Sequence, residues 1–219
     1  MKYMTAREED ILTNQNYIQK GVVLDKLIES LIISKIDYND IIVGDKNALL
    51  IASRVLGYGK DYSFKGYSRE EGIIKEFKID LTTLKDKILK KKDLKEVGIN
   101  EFDFELPHTK KVITFKLLTH GDEKSIEKEV VGQNKIRPGS NPEISTRLKY
   151  IITSVDGDSE KKTIREFVDF QLLARDSKSL RDEVKKVSPD VNLNYTGEDG
   201  EEDINIPINL SFFWPDAWI

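Results

Sequence analysis

The side chains best suited to acid-base or metal chemistry near neutral pH are two histidines, His108 and His120. A metal site needs further His, Cys or carboxylate ligands at a recognisable spacing, and a catalytic pair needs a second group within reach. Neither histidine has such a neighbour in the sequence. We therefore predict that both are exposed turn histidines without a catalytic or metal-binding role.

An acidic turn with Asp156, Asp158 and Glu160 at alternate positions resembles the start of a calcium-binding loop. The rest of that loop is missing, because Lys161 stands where its glycine is required and Phe167 stands where its bidentate glutamate is required. The sequence therefore predicts a solvated turn that leads into the next helix.

Three other segments could bind a phosphate or a cation, and each has a simpler interpretation. Gly57 and Gly59 lack both the third glycine of a dinucleotide site and a P-loop lysine, so they are predicted to end a helix. Residues 85–95 are Lys-rich but contain no aromatics for base stacking, which favours a solvated helix. The acidic residues 196–203 are predicted to form a hairpin loop. No metal, cofactor or small-molecule substrate is therefore expected.

The composition excludes further classes of function. The 219 residues carry a formal net charge of −4, which gives no reason to expect nucleic-acid binding, and they include no Cys for disulfides or thiolate chemistry. No apolar run is long enough for a membrane span or a secretory signal, so neither is expected. No paired carboxylates and no Ser-His-Asp arrangement can be assembled, so we predict that the protein is not an enzyme.

The elements that would position any site begin with helices. An apolar stripe is predicted to face a core in the first of these, at Val23, Leu24, Leu27, Ile28 and Leu31. A second stripe is predicted to face a core in the helix that ends at Gly59, at Ala48, Ile51, Ala52 and Val55. The first 60 residues are therefore predicted to form a helical region.

The middle of the chain alternates apolar and polar residues, as β-strands do. Residues 73–81 are predicted to form a short strand. Residues 102–106 and 112–118 are predicted to form an antiparallel hairpin, because Pro107 ends the first run and a short polar turn separates the two.

The C-terminal part begins after residues 133–142, which concentrate turn residues and are predicted to form a linker or loop. Residues 148–155 are then predicted to form a strand, and Thr163 with Glu166 a capping box that opens a helix. A second helix is predicted over residues 177–187, followed by a long hairpin whose last strand covers residues 204–212.

These elements predict an α+β protein. It would comprise an N-terminal helical part (1–60), a middle β region (61–132), a linker or loop (133–142) and a C-terminal β-α-β part that ends in a β-hairpin (143–219).

The chain ending concentrates large apolar side chains where polar residues are usual. We predict a protein-interaction site there, formed by Phe212, Phe213, Trp214, Pro215, Trp218 and Ile219. These side chains must be covered by something. Packing on their own domain and docking on a partner are both open, because aromatic residues dominate protein cores and interface anchors alike.

Several segments, in order, resemble the baseplate hub subunit family of T-even-type contractile phages. They are residues 4–12, 20–26, 43–51 with Tyr58 and Gly59, 104–107 with 117–119, and the Phe-Phe-Trp-Pro of 212–215. Members of that family often hold a zinc-ribbon-like Cys pair in the region that is here residues 64–77. This chain has Gly66, Tyr67, Ser68 and Arg69 there, so the region must be held by packing alone.

The resemblance implies a structural or assembly component of a phage tail baseplate hub that binds other baseplate and hub proteins. It implies a place in the host cytoplasm during assembly, and in the virion tail if the protein is retained. Two alternatives are a tail-assembly chaperone that leaves before the virion is finished and an accessory cell-wall hydrolase, the second of which would need paired carboxylates or a metal in a cleft.

Overall fold

The computed structural model describes residues 1–68, 72–87, 98–139, 141–196 and 203–213. These residues form a mixture of α-helices and short strands, and the described strands make three small antiparallel sheets. The predicted α+β class is confirmed. In the described part of the chain, no helix is both long and apolar enough to cross a membrane.

The chain divides into two compact units, each built from separated segments. Unit 1 comprises Met1–Ile36, Asp45–Lys87 and Asp190–Ile219, and unit 2 comprises Asp37–Gly44 and Ile88–Pro189. The chain therefore leaves unit 1 and returns to it twice.

Unit 1 begins with helices. Their bounds are α1 (Ala6–Leu12), α2 (Gln15–Gln19), α3 (Val23–Leu31) and α4 (Lys46–Tyr58). The stripe predicted for α3 is confirmed at four of its positions, because Val23, Leu27, Ile28 and Leu31 are buried. Gly59 ends α4 with φ of 87°, a left-handed value that glycine adopts without strain, as the sequence predicted.

The strands of unit 1 form two antiparallel hairpins. Strands β1 (Asp61–Tyr67) and β2 (Ile74–Asp80) make the longer one, so the predicted strand at residues 73–81 is confirmed. The C-terminal hairpin pairs β6 (Asn194–Thr196) with β7 (Asp203–Asn205). It is much shorter than predicted, since the last strand was expected to cover residues 204–212. Residues beyond Pro207 do not continue the strand. They form the short helix α9 (Leu210–Phe213) instead.

Unit 2 contains a three-stranded antiparallel sheet in the order β3-β4-β5. Its strands are β3 (Phe102–Glu105), β4 (Val112–Phe115) and β5 (Ile152–Val155), and the pairing of β3 with β4 confirms the predicted hairpin. Its helices are α5 (His120–Ile136), α6 (Glu143–Ile151), α7 (Lys161–Glu166) and α8 (Ala174–Val187), with a π-helical turn at Phe167–Gln171. One core joins sheet and helices, with Ile113, Phe115, Leu148, Phe167 and Leu180 among its members.

Three predicted features of the second half of the chain are wrong. Residues 133–136 form the last turn of α5, so the predicted linker at 133–142 begins inside a helix. Residues 148–151 belong to α6, and the strand starts only at Ile152. Helix α7 begins at Lys161, two residues before the predicted cap Thr163, because Asp158 accepts hydrogen bonds from the backbone N–H of Glu160 and the Thr163 hydroxyl.

Helix α1 starts at a buried carboxylate, that of Glu8. Oε2 of Glu8 accepts hydrogen bonds from the backbone N–H of Thr5 at 3.0 Å and from its hydroxyl at 2.6 Å. Oε1 accepts from Nζ of Lys2 at 2.8 Å. The hydrogen bond from Lys2, followed by that from the Thr5 side chain, lowers the pKa of Glu8 to about 2.

Replacing this carboxylate should weaken unit 1 in a pH-dependent way. We expect Glu8→Gln to lower the free energy of unfolding by about 1–2 kcal/mol at pH 7. Because the folded-state pKa is depressed below the ordinary value of 4.5, this stabilisation is complete above that value and is lost as pH falls towards 2. Urea unfolding at pH 7 and pH 3 should show the variant's deficit shrinking at the lower pH. A deficit equal to that of Asp10→Asn, an exposed change in the same helix, would contradict this role.

Candidate protein-interaction site

The predicted interaction site begins in α9, where two of its aromatic residues are interior. Phe212 and Phe213 are fully buried. The Phe212 ring lies edge-on to Tyr62 with ring centroids 4.8 Å apart, and edge-on to Phe213 at 5.3 Å. The carboxamide of Asn209 starts this turn by accepting from the backbone N–H of Ser211 at 2.9 Å. The helical turn, in place of the predicted strand, is what directs both rings inward.

The buried side chain of Arg54 ties α9 to α4. Its Nε donates to the carbonyl oxygen of Phe212 at 2.9 Å, and its Nη1 donates to the carbonyl oxygen of Gly59 at 3.3 Å. The guanidinium lies 5.0 Å from the ring centroid of Tyr58 and 5.9 Å from that of Tyr62. The charged side chain of Arg54 therefore holds α9 against α4.

The aromatic cluster continues across both hairpins of unit 1. Phe64 and Phe77 stack with centroids 5.7 Å apart, and Tyr195 of β6 meets Phe77 edge-on at 5.9 Å. Gly66 permits this approach, because a Cβ atom there would lie 3.0 Å from the Ile204 side chain. Aromatic packing accordingly joins β1, β2 and β6.

The predicted site residues thus fall into two groups. Phe212 and Phe213 are interior and hold α9 in place. Trp214, Pro215, Trp218 and Ile219 lie outside the described residues, and their docking on a partner stays a prediction. The sequence alone could not show that Phe212 and Phe213 are interior and differ in this from the residues that follow them.

The stripe predicted to bury one side of α4 is largely wrong. The buried residues of α4 are Leu50, Ile51, Ser53 and Arg54. The predicted residues Ala48, Ala52 and Val55 instead line a groove of about 410 Å³, together with Leu56, Leu81, Leu84 and Val191. The reason is that Ser53 and Arg54 take the interior side, where the Ser53 hydroxyl donates to the carbonyl of Leu49 and Arg54 reaches Phe212.

The two histidines have different surroundings. His108 is exposed in the β3–β4 turn, as predicted, and its backbone N–H donates to Oδ1 of Asp176 at 2.9 Å. The prediction of exposure is wrong for His120. This residue begins α5 and is buried, with its ring 4.2 Å from that of Tyr38, because the Ile41 carbonyl accepts from its backbone N–H and draws the neighbouring segment over it.

The acidic turn before α7 forms hydrogen bonds within the protein. Asp156 accepts from the backbone N–H of Val112 at 2.9 Å and from Nζ of Lys111 at 3.1 Å, while Asp158 accepts from the backbone N–H of Glu160 and the hydroxyl of Thr163, each at 2.8 Å. Both acids therefore serve the fold, in line with the predicted turn. Across the described ranges, no group of three or more His, Cys, Asp or Glu side chains is placed to hold a metal ion. The Lys-rich residues 88–95 and the acidic residues 197–202 lie outside those ranges.

Arg54 and Asp176 are among the buried polar residues that the sequence did not predict. Arg54 donates to the carbonyl of Phe212, 158 residues away, as well as to that of nearby Gly59, and Asp176 accepts from the backbone N–H of His108, 68 residues away. A polar residue within an apolar stripe is the only sequence signal available for Arg54.

Comparison with known proteins gives no relative. No protein-family model, no curated protein and no solved structure matches this chain. The function must therefore be argued from the site itself and from the resemblance of short segments.

Proposed function

We propose that the protein is a structural or assembly component of the baseplate hub of a contractile phage tail, and that it acts by binding other hub and baseplate proteins. The observation that supports this most is the anchoring of α9. Phe212 and Phe213 are fully buried and Arg54 holds the Phe212 carbonyl, so the chain is fixed in place up to Phe213, directly before the aromatic residues 214–219.

The chemistry of that ending suits protein binding. Trp214 and Trp218 are of the residue type most enriched among the side chains that dominate interface energies, and Ile219 adds apolar surface. A segment tethered at a fixed point loses less freedom on binding than one attached to a mobile end, and that lowers the cost of association. The ordered series of segments that resemble the phage hub family supports the same proposal.

Sheet edges would add a second kind of contact. In the three-stranded sheet of unit 2, β3 and β5 are the outer strands, and each pairs on one side only with β4. Outer strands can accept a strand from a neighbouring subunit through main-chain hydrogen bonds. The proposed protein is thus a connector with an aromatic ending and open edges, which works in the host cytoplasm during assembly and stays in the virion tail if retained.

Two truncations test the aromatic ending while controlling for the fold. A chain that ends at Phe213 keeps both anchors, so it should fold with an unfolding midpoint close to that of the full chain and should fail to enter assembled tails. A chain that ends at Ser211 loses the anchors as well, and we expect it to be clearly destabilised. Thermal unfolding and quantification of the protein in purified tails are the two measurements.

The proposal is contradicted if the chain ending at Phe213 enters tails at the level of the full chain. Mass spectrometry of finished virions separates a permanent component from a chaperone, because a chaperone is absent from them. Turnover of peptidoglycan by the purified protein would support a cell-wall hydrolase in place of a connector.

A further inference from the structure

A cleft in unit 2 has a concentration of cations that the proposed function does not use. Its volume is about 370 Å³. It is lined from β5 and from the helices α5, α6 and α7, with Lys116 following β4. The cationic residues of its lining are Lys116, Lys149, Lys161 and Arg165.

Three of these cations already hold carboxylates of unit 2. The pairs are Lys116 with Asp122 at 2.8 Å, Lys149 with Asp169 at 2.7 Å, and Arg165 with Glu129 at 3.3 Å. Four cations against three carboxylates leave one positive charge in excess. A ligand group with a single negative charge balances the site, whereas a phosphate dianion would leave it with an excess negative charge.

Lys149 carries donors that the fold alone does not satisfy. Its side chain is only 10% exposed, and an ammonium group has three N–H donors. In the described part of the chain, its ammonium forms one ion pair, with Oδ1 of Asp169 at 2.7 Å. The remaining N–H groups of this half-buried ammonium are therefore available on this wall of the cleft to oxygen atoms of a ligand or of water.

The entrance of the cleft offers further donors. Lys161 is exposed, and no ion pair to it is found within the described ranges. Arg165 is 53% exposed and donates to Glu129 through Nη2, which leaves other N–H groups of its planar fork available. Such a fork matches the two oxygens of a carboxylate in geometry. The hydroxyl of Ser159 lies in the same lining.

We propose that this cleft binds a carboxylate group, carried either by a small organic acid or by an acidic side chain of a protein partner. Lys161 and Arg165 bind the group at the entrance, and the half-buried ammonium of Lys149 completes the hydrogen bonding of the carboxylate. The ion pairs with Asp122, Asp169 and Glu129 hold the donors in place before the ligand arrives, which limits the ordering cost of binding.

Chemical-shift titration of the full chain by NMR tests the proposal. Acetate and a short neutral-flanked peptide with one glutamate are the two carboxylate probes, added at constant ionic strength. Both should shift the backbone amides of the cleft residues, with saturation in the millimolar range, or roughly −4 kcal/mol. At least tenfold tighter binding of the peptide assigns the ligand to a partner's side chain, and equal affinity assigns it to a small acid.

A matched pair of variants shows whether the cleft is responsible. We expect Lys161→Glu to weaken carboxylate binding at least tenfold, and Lys162→Glu to change it less than twofold, because Lys162 lies outside the lining and is 83% exposed. Both changes are at exposed positions, so circular dichroism should show an intact fold.

Three results would overturn the assignment. These are equal losses in the two variants, an absence of shifts in the cleft up to about 100 mM acetate, and tighter binding of inorganic phosphate than of either carboxylate. The first points to unspecific surface charge, and the last assigns the cleft to a different ligand class.

Discussion

Arg54→Ala is expected to lower the free energy of unfolding of unit 1 by about 3 kcal/mol. The change removes two charge-assisted hydrogen bonds, to the carbonyls of Phe212 and Gly59, and leaves the buried Phe212 carbonyl without its donor. It also removes the guanidinium from the rings of Tyr58 and Tyr62, so that a cavity forms beside α9. Urea unfolding followed by tyrosine and tryptophan fluorescence measures the loss.

Two further variants separate the hydrogen bonds from the charge. Arg54→Lys keeps the positive charge but cannot direct two donors at two carbonyls, so it should lose more than half of the stabilisation. Arg7→Ala removes an exposed arginine of unit 1 and should stay within about 0.5 kcal/mol of the parent. If Arg54→Lys were as stable as the parent, charge alone would explain the role of this residue.

Asp176→Ala is expected to destabilise unit 2 by a similar amount, about 3 kcal/mol. Asp176 is fully buried in α8, and its two oxygens accept from the backbone N–H groups of His108 at 2.9 Å and Thr109 at 3.0 Å. Those N–H groups belong to the β3–β4 turn, so the carboxylate holds the hairpin against α8. Without it, both part-buried donors lose their acceptor. Thermal unfolding with the exposed Asp182→Ala as control measures the effect.

The same carboxylate makes the stability of unit 2 fall at low pH. Burial acts to raise the pKa of Asp176, but the hydrogen bonds from His108 and Thr109 outweigh it, and the pKa lies below its ordinary value. The stabilisation is therefore complete above the ordinary carboxyl pKa and is lost as pH falls through the lower folded-state pKa. Asp176→Asn should be nearly as unstable as Asp176→Ala, because its NH₂ group cannot accept from the second N–H. An Asn variant as stable as the parent would show that the charge and the second acceptor are dispensable.

Sequence patterns correctly predicted those elements whose structure depends on residues close together in the sequence. The stripe of α3 has the helical period, and the β3–β4 hairpin has strict alternation and a nearby turn, so both are found where they were expected. The buried side of α4 could not be predicted in this way. Periodicity assigns polar residues to solvent, whereas Arg54 is interior because a carbonyl at the other end of the chain accepts from it.

The candidate sites were likewise predictable only in part from the sequence. The sequence predicted an aromatic site at residues 212–219, since clustered aromatics are visible in any sequence. It did not predict that Phe212 and Phe213 are anchors, because that depends on a helical turn after Pro207 that alternation does not reveal. The cleft of unit 2 was invisible, because Lys116, Lys149 and Lys161 come together only once sheet and helices have packed.

The division of unit 1 into three separated segments has a consequence for the order of events during synthesis. Its core needs Phe212 and Phe213, which are translated after the whole of unit 2, so unit 1 cannot finish folding on the ribosome before residues 190–213 emerge. Most of unit 2 is contiguous and complete by Pro189. Chains that terminate early would therefore carry a folded unit 2 and an unfinished unit 1, which makes them targets for proteolysis before they reach any partner.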